Sequence, residues 1–336
     1  MKVLGGLIGG LRDVPAAIRQ LEAQGYAGAF SAEINNDPFL PALLAAEHSE
    51  HIELTTAIAV AFARNPMNVA QLAHDLNEYS GGRFVLGLGS QVQAHITRRY
   101  GMPWSQPAAR MREFILALRA IWSCWHEGTP LRFEGEFYRH TLMTPMFVPA
   151  SRAYPAPKVR LAGVGPLMTA VAAEVGDGLI AHGFTTERYL REVTAPALAE
   201  GLARAGKQRA DIEVIAPIMV VTGENEAAFV KSREAVRGQL AFYASTPAYA
   251  GVLQLHGREA LGRELTALSK AGRWAEMGAL VDDGMLQTFA VVSEAPEQVP
   301  SLLAARYGDL LDGWMCTVAL GDPERQGALL RALARG

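Results

Sequence analysis

The sequence predicts an α/β protein built as a (β/α)8 (TIM) barrel with insertions. Short runs rich in apolar and β-branched residues alternate with longer helical patterns from the first residue onward, and eight strand-like runs can be counted. The 336 residues suit one barrel with insertions, although two average domains would have the same length. A composition of 50% hydrophobic and 19% charged residues supplies enough apolar side chains for a large buried core. We therefore predict a single domain over residues 1–336.

The first part of the chain predicts four βα units. Strands are predicted at residues 3–8, 27–31, 52–59 and 83–87. Helices are predicted at residues 14–24, from residue 38 onward, and at residues 66–79. The first helix has the clearest boundaries, because Asp13 is a favourable N-cap, Pro15 suits a first turn and Gly25 is a typical C-terminal stop. This order of elements is typical of a parallel sheet.

Two insertions interrupt the later units. The first covers about residues 100–157 and contains a predicted helix at 107–127, a hairpin at 131–138 and a proline-rich loop. Because both of its flanks keep the βα alternation, we interpret it as a barrel insertion and not as a linker. The remaining strands are predicted at residues 158–163, 178–182, 212–221 and 314–320. Helices are predicted from residue 166, at 187–204, within 224–280 around a second insertion at about 240–285, at 299–306 and at 323–334.

Charge and hydropathy exclude several classes of function. The formal net charge of −3 and the lack of a Lys/Arg cluster argue against nucleic acid as a partner. No stretch reaches the roughly 20 apolar residues that span a bilayer, and the start shows no signal-peptide pattern. We therefore predict a cytoplasmic protein that does not contact membranes. Cys124 and Cys316 lie far apart and outside paired motifs, so we expect both to be buried free thiols.

Polar and glycine-rich runs follow two of the predicted strands. In a (β/α)8 barrel the carboxyl ends of the strands converge on the active site. After the fourth strand, glycines allow close backbone approach, and Ser90, Gln91 and His95 offer hydrogen-bonding groups. After the fifth strand, the turn 163–165 opens a helix at Pro166, and its free N–H groups would suit a phosphate. Ordinary tight turns and a plain helix entry remain alternatives for these two motifs.

Three further features are candidates for the same mouth. Residues 55–62 are small and apolar, which suits a flat ring system but also a buried strand. Glu33 follows the second strand and is a candidate for moving a proton or positioning a cofactor, unless it is a solvated loop acid. His182 ends the sixth strand. Other candidates for a substrate pocket, each with a structural alternative, are Trp104, His140, Tyr243, Tyr249 and His256.

Motifs for metal or nucleophilic catalysis are missing from the sequence. It contains no His-Glu-x-x-His, no cysteine pair and no carboxylate cluster with ligand spacing. It also contains no Gly-x-Ser-x-Gly elbow. We therefore expect no metal and predict that an organic cofactor supplies the chemistry.

Several motifs extend over nearly the whole chain. They are Asn65-Pro66, Ala70-Gln71, SGGRFVLGLG at 80–89, FEGEFY at 133–138, GVGP at 163–166 and VGDGL at 175–179. Together they resemble the bacterial luciferase-like monooxygenase superfamily, and most of all its branch of flavin- or coenzyme F420-dependent oxidoreductases.

The resemblance implies a flavin or deazaflavin ring at the barrel mouth, with the phosphate end near the turn after the fifth strand. In F420-binding relatives a non-prolyl cis peptide bond bulges from strand three behind the ring, and the matching position lies between Thr56 and Ala57. A homodimer is also implied. The cofactor contacts carried over by motif are Thr56, Ala57, Ala59, Ser90, Gln91, His95, Val164, Gly165, Leu167 and Met168.

One departure from the family limits what can be transferred. Sugar-phosphate dehydrogenases of this superfamily carry Asp-His after strand two and Gly-Glu after strand four, whereas this chain has SAEI at 31–34 and SQV at 90–92. The substrate of those dehydrogenases is therefore not transferred to this chain. Glu33 is a candidate to replace one residue of their acid/base set. We predict hydride transfer between F420 and a small organic substrate, with Glu33 and His182 as catalytic residues. An FMN-dependent monooxygenase and a non-catalytic flavin-binding barrel are the alternatives.

Overall fold

Eight parallel strands close on themselves in this computed structural model, which describes residues 1–316, 318 and 323–335. The strands are β1 (Lys2–Gly6), β2 (Gly28–Ser31), β3 (Glu53–Thr56), β4 (Phe84–Gly89), β5 (Lys158–Gly163), β6 (Gly178–Ala181), β7 (Glu213–Ala216) and β8 (Gly313–Cys316). Hydrogen bonds join them in the order β3-β2-β1-β8-β7-β6-β5-β4, and the pairing of β3 with β4 closes the ring. The predicted (β/α)8 barrel is confirmed.

Helices follow the strands much as predicted. The first helix ends at Gly25, which has a left-handed φ of 87°, and the Asn65 side chain accepts the Met67 N–H at the start of α3. The barrel helices are α1 (Val14–Gln24), α2 (Phe39–Glu47), α3 (Pro66–Tyr79), α4 (Gln93–Arg98), α5 (Pro107–Glu127), α6 (Pro166–Val175), α7 (Glu187–Tyr189) and, after a π turn at Leu190–Thr194, α8 (Ala195–Ala205). The later helices are α9 (Glu226–Ala244), α10 (Ala250–Leu255), α11 (Glu259–Lys270), α12 (Trp274–Met277), α13 (Asp283–Phe289), α14 (Val299–Tyr307) and α15 (Pro323–Arg335).

The third strand is interrupted where we predicted it to be continuous. It ends at Thr56, and the chain resumes as a short strand at Ala59–Val60 that pairs with the end of β4. The cis peptide bond lies between Ala57 and Ile58, so the predicted position between Thr56 and Ala57 was wrong by one bond. The Ala57 N–H still donates to the Ser31 carbonyl at 2.6 Å. This bond continues the hydrogen bonding between β3 and β2 as far as Ala57, so the cis bond lies one residue later than predicted.

The prediction of a continuous seventh strand over residues 212–221 was also wrong. Strand β7 stops before Pro217, which has no N–H to donate to a neighbouring strand. The chain then leaves the barrel, and Met219–Val221 pairs in parallel with Ala290–Val292, a strand that the sequence did not predict. This small separate sheet forms the base of the insertion between β7 and β8.

The predicted hairpin and the predicted eighth strand also differ from the structure. The hairpin pairs Phe133–Glu134 with Arg139–His140, because the Glu113 carboxylate accepts the N–H groups of residues 136–138 and holds them as the turn. Strand β8 ends at Cys316, and most of the predicted remainder up to residue 320 lies outside the described residues.

The amino end of the barrel is filled by a charged layer. Alternate strands contribute Lys2, Glu53, Arg160 and Glu213, whose charges alternate in sign around the axis. The Lys2 Nζ lies 2.8 Å from Glu213 Oε1, and Arg160 donates to Glu213 and forms an ion pair with Glu53 at 2.7 Å. Burial opposes ionisation of Glu213, but Arg160 and Lys2 hold the pKa of its carboxyl below the usual range. This end of the barrel therefore holds a structural ion network.

Two hydrophobic clusters surround the barrel. The larger one packs helices α1 to α6, α8, α14 and α15 against the outer faces of the strands. The second joins the insertion between β7 and β8 to the segment after β6 and includes Phe184, Tyr189, Leu240 and Phe289. The division into one domain with insertions stays a prediction. Across the described ranges, no helix is long and apolar enough to cross a membrane.

Both cysteines have the state that we predicted. Cys124 and Cys316 are buried free thiols. Burial raises the pKa of the Cys316 thiol to about 11, so this side chain stays protonated and unreactive near neutral pH.

Candidate active site

The floor of the barrel mouth is apolar. Leu4, Ile180, Ile215 and Met315 fill the barrel interior. Above them lies a partly exposed layer that consists of Phe30, Ala57, Ile58 and Ala162. An apolar floor of this kind is a surface on which a planar ring system can pack.

Glycines bring β4 against the bulge that follows β3. The Thr56 hydroxyl donates to the Gly87 carbonyl at 2.7 Å and accepts the Gly87 N–H at 3.0 Å. A Cβ on Gly87 would lie 1.7 Å from the Thr56 carbonyl oxygen, and one on Gly89 would lie 2.8 Å from the Ile58 side chain. Only glycine fits at residue 87 without moving a strand. The glycines at the end of β4 therefore fix the shape of the bulge.

Two predicted cofactor contacts are fully buried. Thr56 and Ala59 have relative exposures of 0%. The Thr56 hydroxyl is already paired with the Gly87 backbone, so its side chain supports the bulge from behind. Ala57 and its neighbour Ile58 are partly exposed and lie on the open side of the bulge. Contact of Thr56, Ala57 and Ala59 with a cofactor stays a prediction.

Glu33 holds three segments of the mouth together. Its Oε2 accepts the Val60 N–H at 2.7 Å and a guanidinium N–H of Arg64 at 2.6 Å, and its Oε1 accepts the Tyr100 hydroxyl at 2.9 Å. Its side chain is only 7% exposed. The carboxylate thus joins the end of β2 to the bulge and to the chain after β4. Its predicted catalytic role stays a prediction, and these contacts indicate a positioning role.

The turn after β4 contains a strained residue. Gln91 has a left-handed φ of 59°, which costs a non-glycine residue about 1–3 kcal/mol. Its own Oε1 accepts the Val92 N–H at 3.0 Å, and the Ser90 hydroxyl donates to the Gln91 carbonyl at 3.0 Å. His95 lies exposed on α4. Such a conformation is typical of functional sites, and all three residues lie at the carboxyl end of the barrel as predicted.

The turn after β5 leads directly into a helix. Helix α6 begins at Pro166, and Thr169 is the first residue whose N–H pairs with the turn, at 3.1 Å from the Gly165 carbonyl. The first N–H groups of a helix are not paired within it, so they favour an anion. Leu167 is 73% exposed beside them, and Met168 is half-buried. The phosphate site predicted here stays a prediction.

His182 lies at the end of β6 in a cluster of aromatic side chains. Its Nδ1 accepts the Phe184 N–H at 3.0 Å, so the proton of the neutral ring resides on Nε2. The ring centroid lies 4.4 Å from that of Tyr249 and 4.7 Å from that of Tyr243. Burial lowers the pKa of His182 to about 4. At neutral pH this histidine is therefore an uncharged hydrogen-bond donor.

No described contact joins the remaining candidates to His182, although the His256 ring lies 5.8 Å from that of Phe289. Trp104 packs edge-on against Phe62 at 5.7 Å, and His256 Nε2 lies 2.8 Å from the Thr186 hydroxyl. His140 belongs to the hairpin in the first insertion. In the part of the chain that the structure describes, no group of three or more His, Cys, Asp or Glu side chains could hold a metal ion.

Three residues of the mouth were missed by the sequence analysis. Arg64 and Tyr100 bind Glu33, and the Tyr189 hydroxyl donates to the Val164 carbonyl at 3.3 Å. Each is brought in by a segment remote in sequence from its partner. No local pattern marks any of these contacts.

Comparisons with known proteins agree with this architecture. The family model described as luciferase-like monooxygenase matches residues 4–326. The chain is 52% identical over 292 residues to the uncharacterised protein Rv1360 of Mycobacterium tuberculosis, covering 87% of this chain and 86% of that protein. It is 28% identical over 278 residues to the 5,10-methylenetetrahydromethanopterin reductase of Archaeoglobus fulgidus, with 81% and 77% covered. The solved coenzyme F420-dependent tetrahydromethanopterin reductase of Methanopyrus kandleri has the same fold, with a TM-score of 0.79, 20% identity and coverage of 98% and 96%.

Proposed function

Because this chain belongs to the luciferase-like monooxygenase family of enzymes, we propose that it transfers a hydride between coenzyme F420 and a small organic substrate. The observation that carries the proposal is the apolar floor of Phe30, Ala57, Ile58 and Ala162 at the end of the barrel where the turns after β3, β4 and β5 meet. The F420-dependent relative of Methanopyrus kandleri supports F420 as the cofactor.

The residues of the mouth suit a flat ring with an anionic tail. Ala57 and Ile58 offer an apolar surface to one face of the ring. The remaining residues that we assign to the cofactor are Thr56 and Ala59 behind the bulge, Ser90, Gln91 and His95 after β4, and Val164, Gly165, Leu167 and Met168 toward the phosphate. When bound, F420 supplies or accepts the hydride.

The side chains of this protein then have two tasks. His182 donates a hydrogen bond from Nε2 to the substrate oxygen, where negative charge develops as hydride reaches the adjacent carbon. Glu33 keeps the bulge and the turn after β4 in place through its bonds to Val60, Arg64 and Tyr100. Neither task requires a metal ion or a charged general base.

An FMN-dependent monooxygenase is the alternative, and the family description favours it. The described residues of the mouth include no dense cluster of Lys and Arg that would select the longer tail of F420. A barrel that binds a flavin without catalysis is the second alternative.

Titration of the purified full-length protein with F420 and with FMN tests the proposal. We expect F420 to bind at least about tenfold more tightly than FMN, a difference of about 1.4 kcal/mol. Quenching of cofactor fluorescence measures both affinities. Tight binding of FMN without binding of F420 would replace the proposal with the monooxygenase, and binding of neither would overturn both.

The predicted homodimer is also kept as a proposal. Helices α2 and α3 pack side by side, and they expose Leu40, Leu43 and Leu72 by 50%, 42% and 41%. Exposed leucines on neighbouring helices suit burial against a second copy of the chain.

A further inference from the structure

We propose that His182, Tyr243 and Tyr249 receive an uncharged ketone or secondary alcohol, so that the enzyme acts on a neutral carbonyl or carbinol and not on a phosphorylated or carboxylated substrate. This inference rests on the proposed function, because it names the class of compound that exchanges hydride with the cofactor. It is carried by the orientation of His182, by the residues around it and by the lack of charge among them.

The first observation is the orientation of a single donor toward the mouth. Ile180 of β6 points into the barrel interior, and His182 follows two residues later on the same side of the chain. The Phe184 N–H occupies Nδ1 at 3.0 Å, so the ring cannot turn over without losing this bond. Nε2–H remains as the group that faces a ligand. A donor fixed in this way selects a substrate with an acceptor oxygen.

The second observation is the aromatic wall around that donor. Tyr243 lies in the last turn of α9 and Tyr249 ends the following 3-10 turn, and both rings lie against the imidazole. Behind them Phe184 stacks on Phe289 with ring centroids 4.7 Å apart, and both phenylalanines are fully buried. The insertion between β7 and β8 therefore closes the side of the mouth above β6 with aromatic rings. Such walls favour the apolar body of a substrate.

The third observation is the lack of countercharge. The described contacts of His182 are the Phe184 N–H and the rings of Tyr243 and Tyr249, and Phe289 packs behind them on Phe184; none of these groups is charged. Burial is the cause of the lowered pKa of His182, and burial raises the pKa of the Tyr249 phenol to about 12.

Three arginines near the aromatic wall have other partners, and one of them, Arg306, donates to the carbonyl oxygens of Gln287 and Ala290. Arg188 pairs with Glu192, and Arg258 pairs with Asp282. A phosphate or carboxylate placed at His182 would lose its hydration without gaining a cation in return, which is strongly unfavourable. An uncharged carbonyl oxygen needs only a hydrogen-bond donor, which the Nε2–H of His182 provides.

The chemistry balances with reduced F420 as the named reductant. The C–H bond that carries the hydride in reduced F420 breaks, a C–H bond forms at the carbonyl carbon, and the π electron pair moves to the oxygen. That oxygen is held by His182 Nε2–H and takes a proton from water, while the proton that the cofactor loses on oxidation returns to water. The ketone is thereby reduced to the alcohol and the cofactor is oxidised. In the reverse direction the alcohol loses the same hydride and proton.

A matched pair of probes tests the proposal with the cofactor-loaded protein. Acetophenone and benzoate share a phenyl ring and differ in charge. By calorimetry we expect acetophenone to bind at least about tenfold more tightly than benzoate. His182→Phe should weaken acetophenone binding about tenfold, which is the effect of one lost hydrogen bond. His51→Gln, at the opposite end of the barrel where the side chain is 85% exposed, is the control that should leave both affinities unchanged.

Three results would overturn the proposal: benzoate binding as tightly as acetophenone, no acetophenone binding to the wild-type protein, or acetophenone binding that does not depend on His182. The comparison of the two probes uses the wild-type protein and so does not depend on the folding of a variant. The probes are measured with whichever of F420 and FMN binds. Failure of the cofactor assignment and failure of the substrate class are therefore separate results.

Discussion

Replacing Gly87 with alanine is expected to destabilise the protein by at least about 4 kcal/mol, the range reserved for severe packing conflicts. The new Cβ would lie 1.7 Å from the Thr56 carbonyl oxygen and 2.9 Å from its carbonyl carbon. These are backbone atoms of the neighbouring strand, so no side-chain rotation relieves the overlap. The strands β3 and β4 would have to separate, and the Thr56 hydroxyl would lose both of its bonds to residue 87. Urea unfolding followed by circular dichroism measures the loss.

Gly238→Ala is the matched control for this substitution. Gly238 lies inside α9, and a Cβ added there meets nothing within 4 Å. Since alanine favours a helix over glycine by about 1 kcal/mol, this variant should be as stable as the wild-type protein or slightly more stable. A Gly87→Ala protein whose free energy of unfolding stays within about 1 kcal/mol of the wild type would contradict the close approach of β3 and β4.

Replacing His182 with glutamine is expected to lower kcat/KM about 100-fold, which is typical for the loss of a donor at a developing negative charge. The Nε2–H of His182 is fixed by the Phe184 bond and by two tyrosine rings, and a flexible amide would not keep that position. Cofactor affinity should change by less than about threefold, because His182 is not assigned to the ring or its tail. The rate of reduced-F420 consumption with the ketone that the wild-type enzyme reduces fastest measures the effect.

The pH profile adds a second readout for His182. The pKa of this histidine is lowered to about 4, so the neutral form dominates at every pH above that value. Protonation of Nδ1 would break its bond with the Phe184 N–H, so we expect activity to fall as the pH approaches 4 from above. The glutamine variant should lack this acid limb. A wild-type profile that falls near pH 6.5, the ordinary value for histidine, would contradict the buried neutral state.

Glu33→Gln tests whether Glu33 positions the cofactor site, in contrast to the role in the reaction that we propose for His182. The amide cannot reproduce the acceptor pattern toward Val60, Arg64 and Tyr100, so we expect about tenfold weaker cofactor binding with a nearly unchanged kcat. A large loss of kcat with normal cofactor affinity would instead favour the proton-transfer role that the sequence suggested for this residue.

Local signals explain which elements the sequence predicted well. Helices α1 and α3 were predicted with their observed ends, because Asn65, Pro66 and Gly25 are start and stop residues whose effect depends on nearby backbone alone. The barrel itself followed from the alternation of strands and helices, which repeats along most of the chain.

Nonlocal contacts explain what the sequence analysis missed. The strand Ala290–Val292 exists because Met219–Val221 leaves the barrel after Pro217 to pair with it, some 70 residues earlier in the chain. The three bonds of Glu33 join segments separated by 27 to 67 residues, so no spacing in the sequence reveals that its carboxylate is occupied. His182 was predicted to be a site residue and stays a prediction, and its tautomer depends on the Phe184 N–H, which only the fold positions.

A crystal structure of the protein with bound F420 tests the central claim most directly. We expect the deazaflavin ring to pack on Ala57 and Ile58, with its open face toward His182 and its phosphate near the first turn of α6. A ring bound away from the ends of β3, β4 and β5, or a mouth in which the insertion's aromatic side chains occupy the floor, would contradict the account.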